Sequence, residues 1–426
     1  MNSTIPKPVL KRELSLIDSI FIGLGAIIGA GIFVLVGIAA GITGPSVILS
    51  VIISSLSASF TALSFSELGA ALPKAGGVYE YGHTLLHPLA GFVMGWMWVF
   101  GNIVLGATGS LGFGYYLSLF VPWLNYRVSS MLLILIVVIF NVAGAKLSVS
   151  FNNVIVAGKV LTLMLFSIIG LPKVKTSNFS PFLPKGPAAM VSAAALFYFA
   201  YIGFPRISTM AEEVKDPEKN IPRAILIALG TSTLIYLFVT ITAVGIAGWE
   251  RLSESPAPLG EVAKDLGIVW IIGIGGLLAT FSVVLTSAMG QSRVFFAMAR
   301  NEEIPVILSK VHPRLRTPVY SILFSGCIMV ILALTVDVSG LATLTSFLVL
   351  ASHVLTNLAD LRLYRKKIEA PFKAPLRPLH ALTGLATSVV LMLSTGAWAI
   401  AAGSLIILFG AAWYVFYMRF RYRSHW

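Results

Sequence analysis

Long apolar runs recur along the chain, separated by short polar or Pro/Gly-rich breaks. They predict twelve helices, near 16–40, 45–70, 84–119, 130–147, 152–171, 188–209, 223–248, 267–295, 318–336, 340–360, 380–396 and 398–418. Most of these runs approach the roughly 20 residues that a helix needs to cross a bilayer. The pattern therefore predicts an all-α integral membrane protein, with no polar stretch long enough for a soluble domain. Lys7, Lys11 and Arg12 precede the first run, which lacks a small-residue cleavage site and reads as a retained signal-anchor helix.

Two runs carry breaks. The first contains Gly23, Gly25, Gly29 and Gly31 in the string GLGAIIGAGIF, and each glycine costs about 1 kcal/mol of helix propensity relative to alanine. Unwound backbone at membrane depth is tolerated only when buried in protein or lining a wet cavity. Close helix packing through Gly25 and Gly29 is the simpler alternative. The sixth run reads FYFAYIGFPRIST, where Gly203 and Pro205 interrupt the helix.

The two broken runs open successive blocks of five helices, 16–171 and 188–360. A pair of helices, 380–418, follows, with an N-terminal segment 1–15 and a tail 419–426. Interrupted helices at matching positions of two halves point to a transporter built from inverted repeats. Free N–H groups at a half-helix start suit a carboxylate, and freed carbonyls suit an ammonium. A zwitterion uses both, which puts amino acids ahead of sugars and metal ions.

Composition agrees: 57% of the residues are hydrophobic and 11% charged, against roughly 25% charged in soluble domains. The net charge of +13 would suggest nucleic acid in a soluble chain, but the basic residues are distributed by side. With the N-terminus inside, 22 of the 30 fall in inner segments and six in outer loops, at Arg127, Lys173, Lys175, Lys185, Arg251 and Lys264. This asymmetry predicts cytoplasmic termini in a cell membrane and needs no nucleic acid.

The acidic residues fall in loops or near span ends, among them Asp18, Glu67 and Asp360. Glu212 and Glu213, at the inner end of the sixth run, either pair with inner arginines as a gate or are simply solvated. Arg206 lies within the sixth run and is expected to snorkel to the inner interface. Lys159 sits deeper, about 10 Å from the start of its helix. An intramembrane ionisable group is a functional candidate by default, with snorkelling the alternative. Without an acidic partner at its depth, Lys159 is expected to reach carbonyls freed in the first run, at Gly25 or Ala26. A lysine that gains and loses its proton as a site opens and closes can couple a proton to substrate movement. Ser282, Thr286 and Ser287 leave sodium coupling as an alternative, although such hydroxyls also serve helix backbones.

Four strings in order resemble the amino acid–polyamine–organocation (APC) superfamily. They are GLGAIIGAGIF, ELGAALPKAGGVYEYG, FAYIGF followed by AEEVKDPEKNIPRAI, and SRVFFAMARNEEIP. The resemblance runs from about Leu14 to Tyr417 and implies a five-plus-five inverted repeat with two further helices. It also implies import or exchange of amino acids. It assigns a substrate carboxylate to backbone N–H groups at Gly29, Ala30 and Gly31, and an ammonium to carbonyls near Ile27 and Phe199 or Ile202. A lysine at the corresponding place in the fifth span stands, in this superfamily, for a sodium ion held by related folds. Ala30, where relatives often carry Ser or Thr, and Pro205-Arg206, where an acidic residue is common, depart from the pattern.

Depth along the spans makes Asn102, Phe199, Ile202 and Met289 candidates to line a side-chain pocket, with helix packing the alternative for Asn102. No acidic residue lies at mid-membrane to neutralise a cationic side chain, so small or apolar L-amino acids fit best. Cationic substrates, exchange, and a non-transporting sensor are the alternatives. The expected partners are the amino acid, a proton and the bilayer, with no cofactor or resident metal; the oligomeric state is open. Motifs of intramembrane proteases are missing from the sequence, so an enzyme is not expected. A metal-ion transporter of the same fold would need an Asp/Asn-rich first break.

Smaller features have local readings. Ser15 and Asp18 match a capping box. His83 and His87, spaced i, i+4 without a third ligand, read as an interfacial helix start. Pro217, Lys219 and Pro222 form an inner loop that restarts a helix. Residues 255–267 are a candidate outer lid, and the single cysteine, Cys327, forms no intramolecular disulfide.

Overall fold

Ser15 and Asp18 open the first helix. The Asp18 amide donates to the Ser15 hydroxyl at 3.2 Å and the Ser15 amide donates to the Asp18 carboxylate at 3.0 Å, so two backbone N–H groups are satisfied reciprocally. Helix α1 (Leu16–Ile27) ends at Ile28, whose ψ of 100° leaves helical space. A π-helical turn (Gly31–Leu35) and α2 (Val36–Thr43) complete the first apolar run. The chain then reverses through Gly44 and Pro45 into α3 (Val47–Ala71). This computed structural model describes residues 12–73, 76–143, 149–315 and 317–423, without the side chains of 149–151, 212, 292–293 and 419–423. Lys7, Lys11, Lys74, Lys146 and Arg316, and the side chains of Glu212, Arg293, Arg419, Arg421 and Arg423, lie outside the described residues.

The remaining helices are α4 (Val78–Tyr81), α5 (Pro88–Leu117), α6 (Tyr126–Val142), α7 (Val149–Gly170), α8 (Gly186–Phe197), α9 (Arg206–Thr209) and α10 (Pro217–Ala247). After them come α11 (Trp249–Glu254), α12 (Pro258–Leu266), α13 (Val269–Arg300), α14 (Val319–Thr335), α15 (Val338–Arg365), α16 (Leu379–Leu393) and α17 (Ala397–Arg423). Among the described residues, eight helical segments are long and apolar enough to cross a membrane by length and composition, and the first, Leu16–Ala71, is 56 residues long. At about 1.5 Å per residue that segment has length for two passages, and the Gly44-Pro45 turn divides it. Helices α6, α14 and α16, at 17, 17 and 15 residues, fall short of the roughly 20 that a full span needs.

Several boundaries differ from the expected runs for local reasons. Helix α5 starts at Pro88, four residues late, because residues 82–86 form a π-helical turn and His87 caps the helix, its Nδ1 accepting from the Leu89 amide at 3.2 Å. Helix α6 starts four residues early, at Tyr126, where the Asn125 side chain accepts from the Arg127 amide at 2.8 Å. Helix α10 starts at Pro217 and absorbs Pro222 in its second turn, since proline is well placed at a first helical position.

Small polar side chains are buried among a large apolar core, and further apolar side chains cover the outside. Leu405, Leu408 and Phe409 of α17 are exposed, while α3 buries Ser50, Ser54, Ser57, Thr61 and Ser64. Ser50 donates to the Met190 carbonyl at 2.8 Å and Ser54 to the Ala194 carbonyl at 2.7 Å, joining α3 to α8. Hydroxyl bonds and small residues replace the hydrophobic effect as the glue between helices in lipid.

Candidate functional site

The two broken helices meet backbone to backbone. A Cβ on Gly31 would lie 2.6 Å from the Ala200 Cα, and one on Gly203 would overlap the Ala26–Ile27 peptide. Only glycine permits either approach. On the second broken helix, α8 passes into a 3-10 turn (Tyr198–Tyr201), and α9 resumes at Arg206 after Pro205. Gly29, Ala30 and Gly31 open the second half of the first run, where N–H groups have no partner within their own helix. Ile27, Ala30, Phe199 and Ile202 are all buried, so the breaks are enclosed.

Tyr236 of α10 spans both breaks. Its hydroxyl lies 2.8 Å from the Ile27 carbonyl oxygen and 3.1 Å from that of Ala200. The Ile27 carbonyl, expected to be open for an ammonium, is thus already engaged here, because a freed carbonyl in a dry core needs a donor. Phe199 likewise accepts from the Ile202 amide at 3.4 Å, continuing the 3-10 turn. Tyr236 did not stand out in the sequence; its signal was a lone phenol in the apolar run TLIYLFVTIT.

Lys159 of α7 is fully buried. Its ammonium donates to the Gly25 carbonyl at 2.7 Å and to the Ser282 hydroxyl at 2.9 Å, so α7 is tied to α1 and α13 through two uncharged acceptors. The Gly25 carbonyl is available because α1 stops two residues later, before a Gly29 amide could close the helical bond. The neighbouring Ala26 peptide is covered by Gly203. Ser282 itself donates to Ala279 at 3.0 Å, Thr286 donates to Ser282 at 2.8 Å, and Ser287 donates to the Val283 carbonyl.

Arg206 does not snorkel. Its Nη2 donates to Asn102 Oδ1 at 3.1 Å, inside the bundle, while Nη1 is enclosed without a hydrogen-bond partner. Helix α9 packs against α1, α3 and α10, and its arginine turns to the α5 side. Asn102 spends its own N–H on the Trp98 carbonyl at 2.8 Å, one turn back on α5. Met289 lies on α13, partly buried against the core.

Three carboxylates expected near water are buried instead, each with partners, as a buried charge requires. Glu67 Oε1 pairs with Arg377 Nε at 2.7 Å, and Asp360 Oδ2 with His380 Nε2 at 2.8 Å. Glu303 takes the Tyr79 hydroxyl at 2.8 Å and faces His83 Nε2 at 3.2 Å. His83 and His87 therefore serve separate contacts. Leu14 pairs with the stretch before α10: its amide donates to the Glu213 carbonyl and its carbonyl accepts from the Lys215 amide, both at 2.9 Å. Residues 255–267 contain α12, which a salt-bridge cluster ties to α11: Arg251 to Glu261 at 2.7 Å and to Asp265 at 2.6 Å. The bonds from Arg251 and then Lys264 hold the Glu261 carboxyl below its ordinary value.

Apolar helices in series, two of them broken and facing each other, with a buried lysine on freed backbone, define a multi-pass membrane protein of the transporter type. The chain belongs to the amino acid permease family, whose model matches residues 18–420, and so to the superfamily its motifs resemble. It is 32% identical to the branched-chain amino acid permease BcaP of Bacillus subtilis, over 96% of this chain and 94% of that protein. It is 31% identical to the methylthioribose transporter of the same organism, over 87% and 85%. With cationic amino acid transporter 5 of Arabidopsis thaliana it shares 30% identity over 91% and 71%. These relatives are named as transporters, not enzymes.

Proposed function

We propose that the protein is a secondary active transporter of L-amino acids with small or apolar side chains, driven by proton symport through alternating access. In this reading residues 16–171 and 188–360 are inverted repeats of five spans, 380–418 adds two more, and both termini face the cytoplasm of a cell membrane. The substrate carboxylate binds the N–H groups of Gly29, Ala30 and Gly31. Its ammonium binds carbonyls at the breaks, at Ile27 once Tyr236 has released it and at Phe199 or Ile202. Asn102, Phe199, Ile202 and Met289 surround the side chain.

The observation that carries the coupling is the Lys159 ammonium on Gly25 and Ser282. A charge held at membrane depth by two neutral acceptors is costly, so gain or loss of the Lys159 proton changes how firmly the first break is held to α7 and α13. A proton taken up or released at Lys159 thereby shifts the balance between open and closed breaks, through its bonds to α1 and α13. Sodium coupling has less support, since the Lys159 ammonium already takes the Ser282 oxygen that a sodium ion would need.

The test is uptake of labelled alanine and leucine by the purified protein in liposomes, with and without an inward proton gradient. Proton-driven accumulation that Lys159→Ala abolishes supports the reading. Undiminished proton-driven accumulation in that variant, or accumulation only on a sodium gradient, overturns the coupling. Uptake only against a preloaded amino acid identifies an exchanger.

A further inference from the structure

A guanidinium has five N–H donors and no acceptor, and it stays charged. Arg206 uses Nη2 on a single neutral amide oxygen, while Nη1 is shut away from water with no hydrogen-bond partner. Arg206 is partly buried as a residue, but its enclosed Nη1 is a costly unmet donor that an anion would satisfy. The buried carboxylates at the inner ends of the helices are engaged elsewhere: Glu67 with Arg377, Asp360 with His380, and Glu303 with Tyr79 and His83. Lys159 is a second cation at the breaks, and it is held by the Gly25 carbonyl and the Ser282 hydroxyl. Two cations thus flank the breaks, and among the described residues no carboxylate is bonded to either.

The position of Arg206 gives this imbalance a use. It is the third residue after Gly203, which lies on the Ala26–Ile27 peptide, and its side chain reaches α5 at Asn102. It therefore stands just inside the break, beside the candidate pocket residue Asn102. We propose that Arg206, held by Asn102, sets the charge of the transported side chain, so that the site takes carboxylate-bearing amino acids along with small neutral ones and refuses cationic ones. This rests on the reading as an amino acid transporter and extends its side-chain class. In this structure the Asn102 oxygen occupies the place that a substrate carboxylate takes over. A carboxylate offers two charged acceptors in a geometry that matches the guanidinium fork, whereas an ammonium or guanidinium side chain meets two like charges.

The experiment is inhibition of labelled alanine uptake into liposomes by glutamate, glutamine, lysine and alanine. Glutamate and glutamine are nearly the same size and shape and differ in charge, so their comparison on the wild-type protein is already decisive. About tenfold stronger inhibition by glutamate than by glutamine, with lysine weaker than both, is expected for a charge-assisted bond. Glutamine equal to or better than glutamate overturns the proposal. In Arg206→Gln the glutamate-to-glutamine preference falls about tenfold, and in Arg206→Lys it is largely kept; an unchanged preference in Arg206→Gln also overturns it. If the wild-type protein moves no alanine, the transport reading has failed separately. Protection of the purified protein against thermal unfolding then decides the site: protection by glutamate above glutamine in chloride-free buffer supports it. No protection by glutamate, or equal protection by chloride alone, overturns it.

Discussion

The Tyr236 hydroxyl stands 2.8 Å from the Ile27 carbonyl oxygen, and 3.1 Å from that of Ala200 it touches the second break as well. One O–H thus serves two interrupted helices, and it donates to only one of them at a time. Tyr236→Phe should lower stability by about 1 kcal/mol, the net worth of a buried hydrogen bond, read as an earlier thermal unfolding midpoint. Uptake should fall by more than that loss of stability explains, because both breaks lose their common donor. Full uptake by the phenylalanine variant would show that the bridge is ornamental.

Gly203 has no room for a side chain. Gly203→Ala drives a methyl into the Ala26–Ile27 peptide, and backbone cannot rotate away as a side chain can. A cost of about 3 kcal/mol, at the upper end for overpacking, is expected, with loss of uptake. Size-exclusion profile and unfolding midpoint measure the first, liposome uptake the second.

Arg377 neutralises a carboxylate that has no exposure of its own. Removing it by Arg377→Ala leaves Glu67 buried with only the Ala374 amide at 3.4 Å and His380 Nε2 at 3.8 Å near its other oxygen, which should cost about 3 kcal/mol. Adding Glu67→Gln should return much of that loss, since the stranded charge is gone. A double variant as unstable as the single would argue that Arg377 acts through its stacking over Tyr364, 5.0 Å from the ring centroid.

The cluster joining α11 to α12 should respond to acid. Glu261 is held below its ordinary value of 4.5 by the bonds from Arg251 and Lys264. A carboxyl depressed on folding contributes its stabilisation fully above its unfolded value and loses it as the pH falls through the folded one. Proteolysis between α11 and α12 should therefore be constant from pH 7 down to about 4.5 and rise below that, and Glu261→Gln should remove the dependence.

The Lys159 ammonium came out of the sequence because one charge in a long apolar run violates a rule that holds residue by residue. Its acceptor Gly25 was legible too, since four clustered glycines mark a failing helix. Arg206 obeyed no such rule: near the end of a broken run, snorkelling and inward pointing predict the same sequence, and only the packing of α9 against its neighbours selects one. The buried state of Glu67 and Asp360 was equally hidden, because their partners Arg377 and His380 are remote in the chain or lie in a loop whose path no periodicity specifies.

Taken alone, the sequence determined the all-helical membrane class, the places where two helices fail, and the isolation of Lys159. Each of these depends on hydrophobicity or backbone propensity summed over neighbouring residues, which a linear pattern records. Tertiary structure alone decided that Tyr236 closes the breaks, that Arg206 turns to Asn102, and which buried acids meet which bases. These contacts join residues tens to hundreds of positions apart, and their energies depend on distance and desolvation, which exist only once the helices have packed.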